Sequence, residues 1–242
     1  MNDRLYHLLV GLLDIFAWGG ELIGEENLPK KGPAVLVANH LNALGPIACF
    51  CSIPLRLYSW TISDMLDPQK AAAYLNMDFT ERQLGLKPPW SLWLSRLLVR
   101  ITVPLLRSLG CIPVYRGDYG RMQETFRLSL QRLREEKCLL IFPEDNLLPA
   151  EPQTGMRMFW HTFVRLGELW YKETGQALGF YPIAIHPTGK IQVGNPVFFN
   201  PLNRAAWERK RITEILEMEI RRMYLELAGE SPEMLGLKPA PR

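Results

Sequence analysis

Short unbroken apolar runs alternate along this chain with longer segments whose apolar residues recur every three or four positions. The runs are Ala34-Val35-Leu36-Val37, Cys138 to Phe142 and Phe180 to Ile185, with a further one or two strands between Ile191 and Val197. Cys111 to Val114 adds a shorter one. Runs of this length bounded by turn residues predict buried strands. Helical spacing predicts helices over residues 3–18 (Leu5, Leu8, Leu9, Leu12, Leu13, Phe16), Pro46 to Ile53, Trp90 to Val103 and Met156 to Glu173. Asp118 can cap another through Glu135, with Met122, Phe126, Leu130 and Leu133 inward. A last helix, Arg204 to Leu227, carries Ile212, Ile215, Leu216, Ile220 and Met223 on one side. Strands that alternate with helices predict an α/β sandwich, a mostly parallel sheet flanked by helices.

Three divisions follow. Residues 1–25 form an amphipathic N-terminal segment, residues 26–228 the main domain, and residues 229–242, with three prolines, a loose tail. The first helix either lies in a membrane interface with Trp18 near the head groups or packs on the protein's own core. Residues 63–89, with Pro68, Pro88 and Pro89, have no readable period. Gly32 to Leu55 contains no Asp, Glu, Lys or Arg and is long enough to cross a bilayer, about 20 residues. Pro33, Asn39, His40, Asn42, Pro46 and Pro54 interrupt it, so strand, loop and buried helix is the better reading. No secretory signal is evident, since Asp14 breaks the early apolar segment.

Composition changes the picture at one place. The 242 residues are 48% hydrophobic and 22% charged, ordinary for a folded protein, and the net charge is only +3. Between Arg82 and Arg134, however, ten Lys/Arg face two acids, Asp118 and Glu124. Such a stretch suits anionic partners: phospholipid head groups, coenzyme A phosphates or an acidic carrier protein. A solvated basic face is the plainer alternative. Along and just beyond Trp90–Val103, Arg96, Arg100 and Arg107 form a stripe at helical spacing, placed opposite Trp93, Leu97, Leu98 and Ile101, and Pro104 is expected to kink or end the helix. No nucleic-acid recognition motif accompanies the charge, so nucleic acid is not expected as a partner. Cys49, Cys51, Cys111 and Cys138 have no metal or redox spacing and read as small buried hydrophobes. No metal site is indicated.

The chemistry centres on the end of the first apolar run, Ala38-Asn39-His40-Leu41-Asn42-Ala43-Leu44-Gly45-Pro46. A histidine there, between a buried strand and a helix that Pro46 can start, is suited to proton transfer near neutral pH. The segment resembles the His-x-x-x-x-Asp motif of the glycerolipid acyltransferases, the 1-acylglycerol-3-phosphate acyltransferase family. Three further blocks stand in that family's order. Gly110-Cys111-Ile112-Pro113-Val114-Tyr115-Arg116 resembles the second motif, Leu140-Ile141-Phe142-Pro143-Glu144 the third, and Tyr181-Pro182-Ile183-Ala184-Ile185 the fourth.

The resemblance implies that His40 is the catalytic base, taking a proton from an acceptor hydroxyl that attacks an acyl thioester. Acyl-CoA or acyl carrier protein would be the co-substrate, with no bound cofactor, and a lysophospholipid or related molecule the acceptor. Arg116 would bind the acceptor's phosphate, with Asn42, Glu144 and Asp145 the other candidate substrate-binding residues. The expected location is peripheral or monotopic, on the cytoplasmic face of an anionic membrane. The departures cluster at the site: Gly45 stands for the family's Asp, Asp145-Asn146 for Gly-Thr, and Leu147 for an Arg. Asn42, Asp145, Asp64 and Asp67 are candidates to replace the lost carboxylate, and Arg157 part of the lost positive charge. Glu144 reads equally as a structural hydrogen-bonding residue, and His161 and His186 as structural. An acyltransferase with reduced activity and a non-catalytic lipid- or acyl-thioester-binding relative both remain open.

Overall fold

The computed structural model describes residues 20–41, 44–82, 84–115, 117–145 and 147–229, with Tyr6 and Gly11. Most of the predicted helix 3–18, the tail beyond Gly229, and the individual residues Asn42, Arg116 and Asn146 lie outside the described residues. In chain order the elements are β1 (Glu21–Ile23), β2 (Ala34–Ala38), α1 (Leu44–Ser52), β3 (Leu57–Ile62), α2 (Ser63–Leu66) and α3 (Pro68–Leu75). After a π-helical segment, Asn76–Glu81, come α4 (Trp90–Leu109), β4 (Ile112–Val114), α5 (Tyr119–Arg134) and β5 (Cys138–Ile141). The last are α6 (Arg165–Thr174), β6 (Gly179–His186), β7 (Lys190–Val193), β8 (Val197–Phe198) and α7 (Ala205–Ala228). The described residues divide into two compact units, a larger one of residues 20–57 and 130–229 and a smaller one of 58–129.

The larger unit is built on β2. Its two neighbours, β5 and β6, both run parallel to it, with Leu36 level with Leu140 and Tyr181. All five residues of β2 have zero exposure. A strand covered on both faces requires an apolar residue at every position, which is why the run is continuous rather than alternating. Beyond β6 lie β7, antiparallel to it, and β1, parallel to β7, while β8 pairs antiparallel with the start of β6. Helix α7 packs on β6 and seals it with Ile212, Leu216, Ile220 and Met223, all fully buried at helical spacing.

In the smaller unit β3 and β4 pair in parallel, Trp60 level with Ile112. Trp60 donates its indole N–H to Ser129 Oγ at 2.8 Å and meets the edge of Phe126. Helix α4 packs on α3 through small residues: Val99 and Val103 meet Ala71, Ala72 and Leu75. Its buried side continues through Ser95 and Ser91, whose hydroxyls are satisfied at Thr80 Oγ1 (2.9 Å) and Glu81 (3.3 Å).

Three predicted elements need correction, one of them in two respects. The helix predicted over 156–173 begins only at Arg165, after a 3₁₀ turn at Thr162–Val164. Before it the backbone is extended, because Glu144 and Phe159 form an antiparallel bridge and Trp160 N–H donates to Pro143 O. Helix α4 does not stop at Pro104 but runs on to Leu109. Pro104 is on the exposed side, where the carbonyl left without its donor can meet water. Gly110, at φ 80°, then ends the helix with its N–H on Arg107 O. The side of α4 assigned inward is also reversed, since Trp93, Leu97 and Ile101 are exposed, and the arginines lie beside these residues rather than opposite them. Finally, α1 starts at Leu44 rather than at Pro46, so Gly45 lies in its first turn.

Candidate active site

The site begins with how the chain leaves β2. Asn39, buried, turns its side-chain amide on β6, donating to Ile185 O (3.0 Å) and accepting from Ile185 N–H (2.7 Å). The amide copies the pairing of a strand residue, extending the β2–β6 ladder by one side chain after the backbone has turned away. The next residue, His40, is then held from the other neighbour. Its backbone N–H donates to Glu144 Oε1 at 2.5 Å, just beyond the end of β5. His40 therefore sits at the carboxyl end of the central parallel strand, tied to the strand on each side.

Glu144 is buried and its carboxylate is divided between two backbone donors. One oxygen accepts from His40, and the other from Arg157 N–H at 2.9 Å. Burial raises its pKa above the ordinary carboxylate range, opposed by these two N–H groups and by the charges of Arg157 and Arg221. The segment carrying Arg157 is itself anchored by α7. Glu217 accepts Phe159 N–H (2.9 Å) and Arg221 Nη2 (3.1 Å), while Arg221 Nη1 reaches Thr154 Oγ1 (3.1 Å) and lies 3.5 Å from Glu151. The polar residues of α7 thus hold the loop that holds Glu144, which holds His40.

The imidazole of His40 is exposed and meets Phe142 edge to face, with ring centroids 5.2 Å apart. Position 45 lies against the same pair. A Cβ on Gly45 would stand 3.6 Å from Phe142 Cε1, 3.7 Å from the His40 carbonyl carbon and 3.5 Å from Asn39 O. These are ordinary van der Waals contacts, so a Cβ is accommodated there next to the histidine. Nothing in the backbone conformation or the nearest contacts of position 45 therefore requires glycine there.

The remaining candidates divide. Asp145 uses Oδ1 to accept Leu147 N–H at 3.0 Å and its own N–H on Met158 O at 2.9 Å, the pattern of a turn residue. Arg157 lies along the third-motif loop, with Nε on Leu148 O (3.0 Å). Asp64 and Asp67 are engaged inside the smaller unit: Asp67 caps α3 through Gln69 N–H (2.9 Å), and Asp64 pairs with Lys70 at 3.6 Å. They share there a cleft of about 470 Å³ with Lys70, Arg107, Tyr115 and Arg121, whose guanidinium stacks 3.8 Å above the Tyr115 ring. Asn42 and Arg116 lie outside the described residues. His161 precedes the 3₁₀ turn, and His186 bonds Thr188 Oγ1 at 2.7 Å and packs on Tyr224. Burial pushes the Cys111 and Cys138 thiols up to about 11 and Cys49 higher still, so at neutral pH they stay protonated.

Asn39, Glu217 and Arg221 were not found by sequence reasoning. An Asn before a His reads as a turn residue, and charged positions on an amphipathic helix read as its solvated side. Among the described residues no group of three potential ligands could hold a metal, and no helix is long and apolar enough to cross a membrane.

Comparison with solved structures gives the fold. The 1-acyl-sn-glycerophosphate (LPA) acyltransferase PlsC from Thermotoga maritima superposes with a TM-score of 0.51 at 13% identity. The match covers 92% of this chain and 83% of that one. No protein-family profile and no curated relative matches the sequence. The chain therefore has a PlsC-like α/β fold, a mostly parallel sheet with flanking helices.

Proposed function

We propose that this protein is a membrane-associated acyltransferase. It moves a fatty acyl group from acyl-CoA or acyl carrier protein to a hydroxyl of a lysophospholipid or related acceptor, at reduced rate. One observation carries the reading: an exposed histidine fixed at the carboxyl end of the central parallel strand, in a fold shared with an LPA acyltransferase.

His40 acts as general base. The acceptor hydroxyl gives its proton to the imidazole as its oxygen bonds to the thioester carbonyl carbon. The carbon–sulfur bond then breaks, and the leaving thiolate takes a proton from the imidazolium. Asn39 and Glu144 fix the backbone on both sides of His40, which limits the ring to few positions. A carboxylate partner for the imidazolium is missing at Gly45. In serine proteases, damaging the equivalent carboxylate lowers the rate roughly 10⁴-fold, about 5.5 kcal/mol of barrier. Arg116 and Asn42, by resemblance, contact the acceptor, and an anionic membrane on the cytoplasmic side supplies it.

Gly45 favours a second reading, a non-catalytic protein that binds a lipid or an acyl thioester. Thiol release from long-chain acyl-CoA, measured with lysophosphatidate, other lysolipids or no acceptor, separates the two. Acceptor-dependent release by the native protein that is lost in His40→Ala supports the transferase. Binding of acyl-CoA or lysolipid without release, unchanged in His40→Ala, supports the binder.

A further inference from the structure

Helix α4 buries the wrong residues for an ordinary surface helix. Its inward side is Ser91, Ser95, Val99 and Val103, all small, whereas its largest apolar side chains face out. Trp90 is 70% exposed, Trp93 62%, Leu97 43% and Ile101 64%. At about 100° per residue these four fall within an arc of roughly 80°, with Arg96, Arg100 and Arg107 in a band of about 40° along one edge of it. Arg96 and Arg100 are exposed and enter no ion pair among the described residues. From Arg82 to Gly117 the chain contains no Asp or Glu at all.

We infer that this outer face of α4 lies on an anionic phospholipid bilayer, the helix axis parallel to its surface. Trp90, Trp93, Leu97 and Ile101 enter the boundary between head groups and acyl chains. The arginines stay at head-group level, their stems along the apolar edge and their guanidiniums on lipid phosphates. The surface is convex, a single helix carrying two tryptophans, which suits an interface that adapts to it better than a rigid groove. A second copy is a poor occupant. A two-fold interface with antiparallel helices would set the same face against itself and bring the arginine bands together, and one with parallel helices would leave them without an acid from either α4. The inference rests on the membrane association proposed above and names the element responsible for it.

Cosedimentation of the full-length protein with vesicles tests it, using phosphatidylcholine alone and phosphatidylcholine mixed with phosphatidylglycerol. The native protein is expected to prefer the mixed vesicles and to bind them less tightly as salt is raised. Trp93→Ser with Ile101→Ser should lose at least tenfold in partitioning to both vesicle types. Arg96→Gln with Arg100→Gln should lose about thirtyfold on mixed vesicles only, at about a factor of five per arginine. All four positions are exposed, so folding is expected to survive, and circular dichroism checks this. Trp90→Phe with Trp93→Phe should keep binding while losing most tryptophan quenching by brominated lipid. The inference is overturned if the serine pair binds as the native protein does while Leu8→Gln with Leu12→Gln does not. A native protein that binds no vesicle overturns it together with the membrane association. A native dimer that the serine pair converts to monomer, with no vesicle binding by either, overturns it in favour of self-association. Acyl transfer to a detergent-dispersed acceptor should be unchanged in all these α4 variants, which separates this result from the fate of the transferase reading.

Discussion

The two units use hydrophobic residues in opposite ways. In the larger, β2 places Ala34 to Ala38 wholly inside, and the side chains that do specific work, Asn39, His40 and Glu144, begin where that run ends. In the smaller, α4 turns serines and valines inward and leaves tryptophans outside. The strand's apolar residues build the fold. The outer ones of the helix, Trp90, Trp93, Leu97 and Ile101, contribute little to the fold and are exposed to meet something else. Apolar content thus reports packing in the first unit and surface chemistry in the second.

The sharpest way to test this contrast is at the site itself. Gly45→Asp should raise His40-dependent thioester acyl transfer by up to about 10⁴-fold, read as thiol release, with no loss of thermal stability. The space for a Cβ is present, and an acid in the first turn of α1 is favoured by the helix dipole. His40→Ala should abolish the gain in either background. A Gly45→Asp protein no faster than the native one would show that more than this carboxylate is missing.

Next in size is packing. Leu36→Ala should cost about 2–5 kcal/mol in urea unfolding, because a buried side chain is removed from the central strand. Trp93→Ala, the deletion of a larger side chain, should stay within about 0.5 kcal/mol. Ser95→Leu reverses the usual expectation for added hydrophobicity. It forces bulk into the α4 seam beside Thr80 and should destabilise by about 1–3 kcal/mol.

Glu144→Gln should cost about 1–3 kcal/mol, since an amide has one acceptor oxygen for the two N–H groups of His40 and Arg157. Its effect on kcat should exceed its effect on KM, as expected for a residue that positions the base. The smallest effect concerns pH. Glu144 titrates above its unfolded value, so the fold favours its protonated form, and this destabilising contribution grows as pH rises through the folded pKa. Glu208 behaves the other way. Burial pushes it up, but Arg211, Asn203 and the Asn200 N–H more than offset that and leave it below the ordinary range. Its contribution is present above the unfolded pKa and lost as pH falls through the folded one. Unfolding curves of Glu208→Gln should therefore lose part of the acid sensitivity, and those of Glu144→Gln part of the decline toward neutral pH.

How much of this was legible in the sequence depends on which force placed each residue. Val35 and Leu36 announce β2 because burial on both faces leaves no other composition possible. Residues 156–160 carry helical spacing yet run extended, because the Glu144–Phe159 bridge and the Glu217 carboxylate take their backbone donors. That pairing is long-range and leaves no local trace. Helix α4 was visible as a helix but not as to its orientation, since Trp93 and Leu97 outrank Ser91 and Ser95 on any hydrophobicity scale. Sterics decided it: only small residues let α4 approach α3. His40, Gly45 and Glu144 were visible as motif positions, whereas the coupling of Glu144 to His40 through a backbone N–H needed the fold.

The open space at Gly45 also bears on how such a protein can change over generations. Two of the four glycine codons differ from an aspartate codon by a single base, and a Cβ at this position meets only ordinary contacts. A single substitution can therefore place a charge beside the histidine, because neither the contacts at position 45 nor its backbone conformation demands glycine.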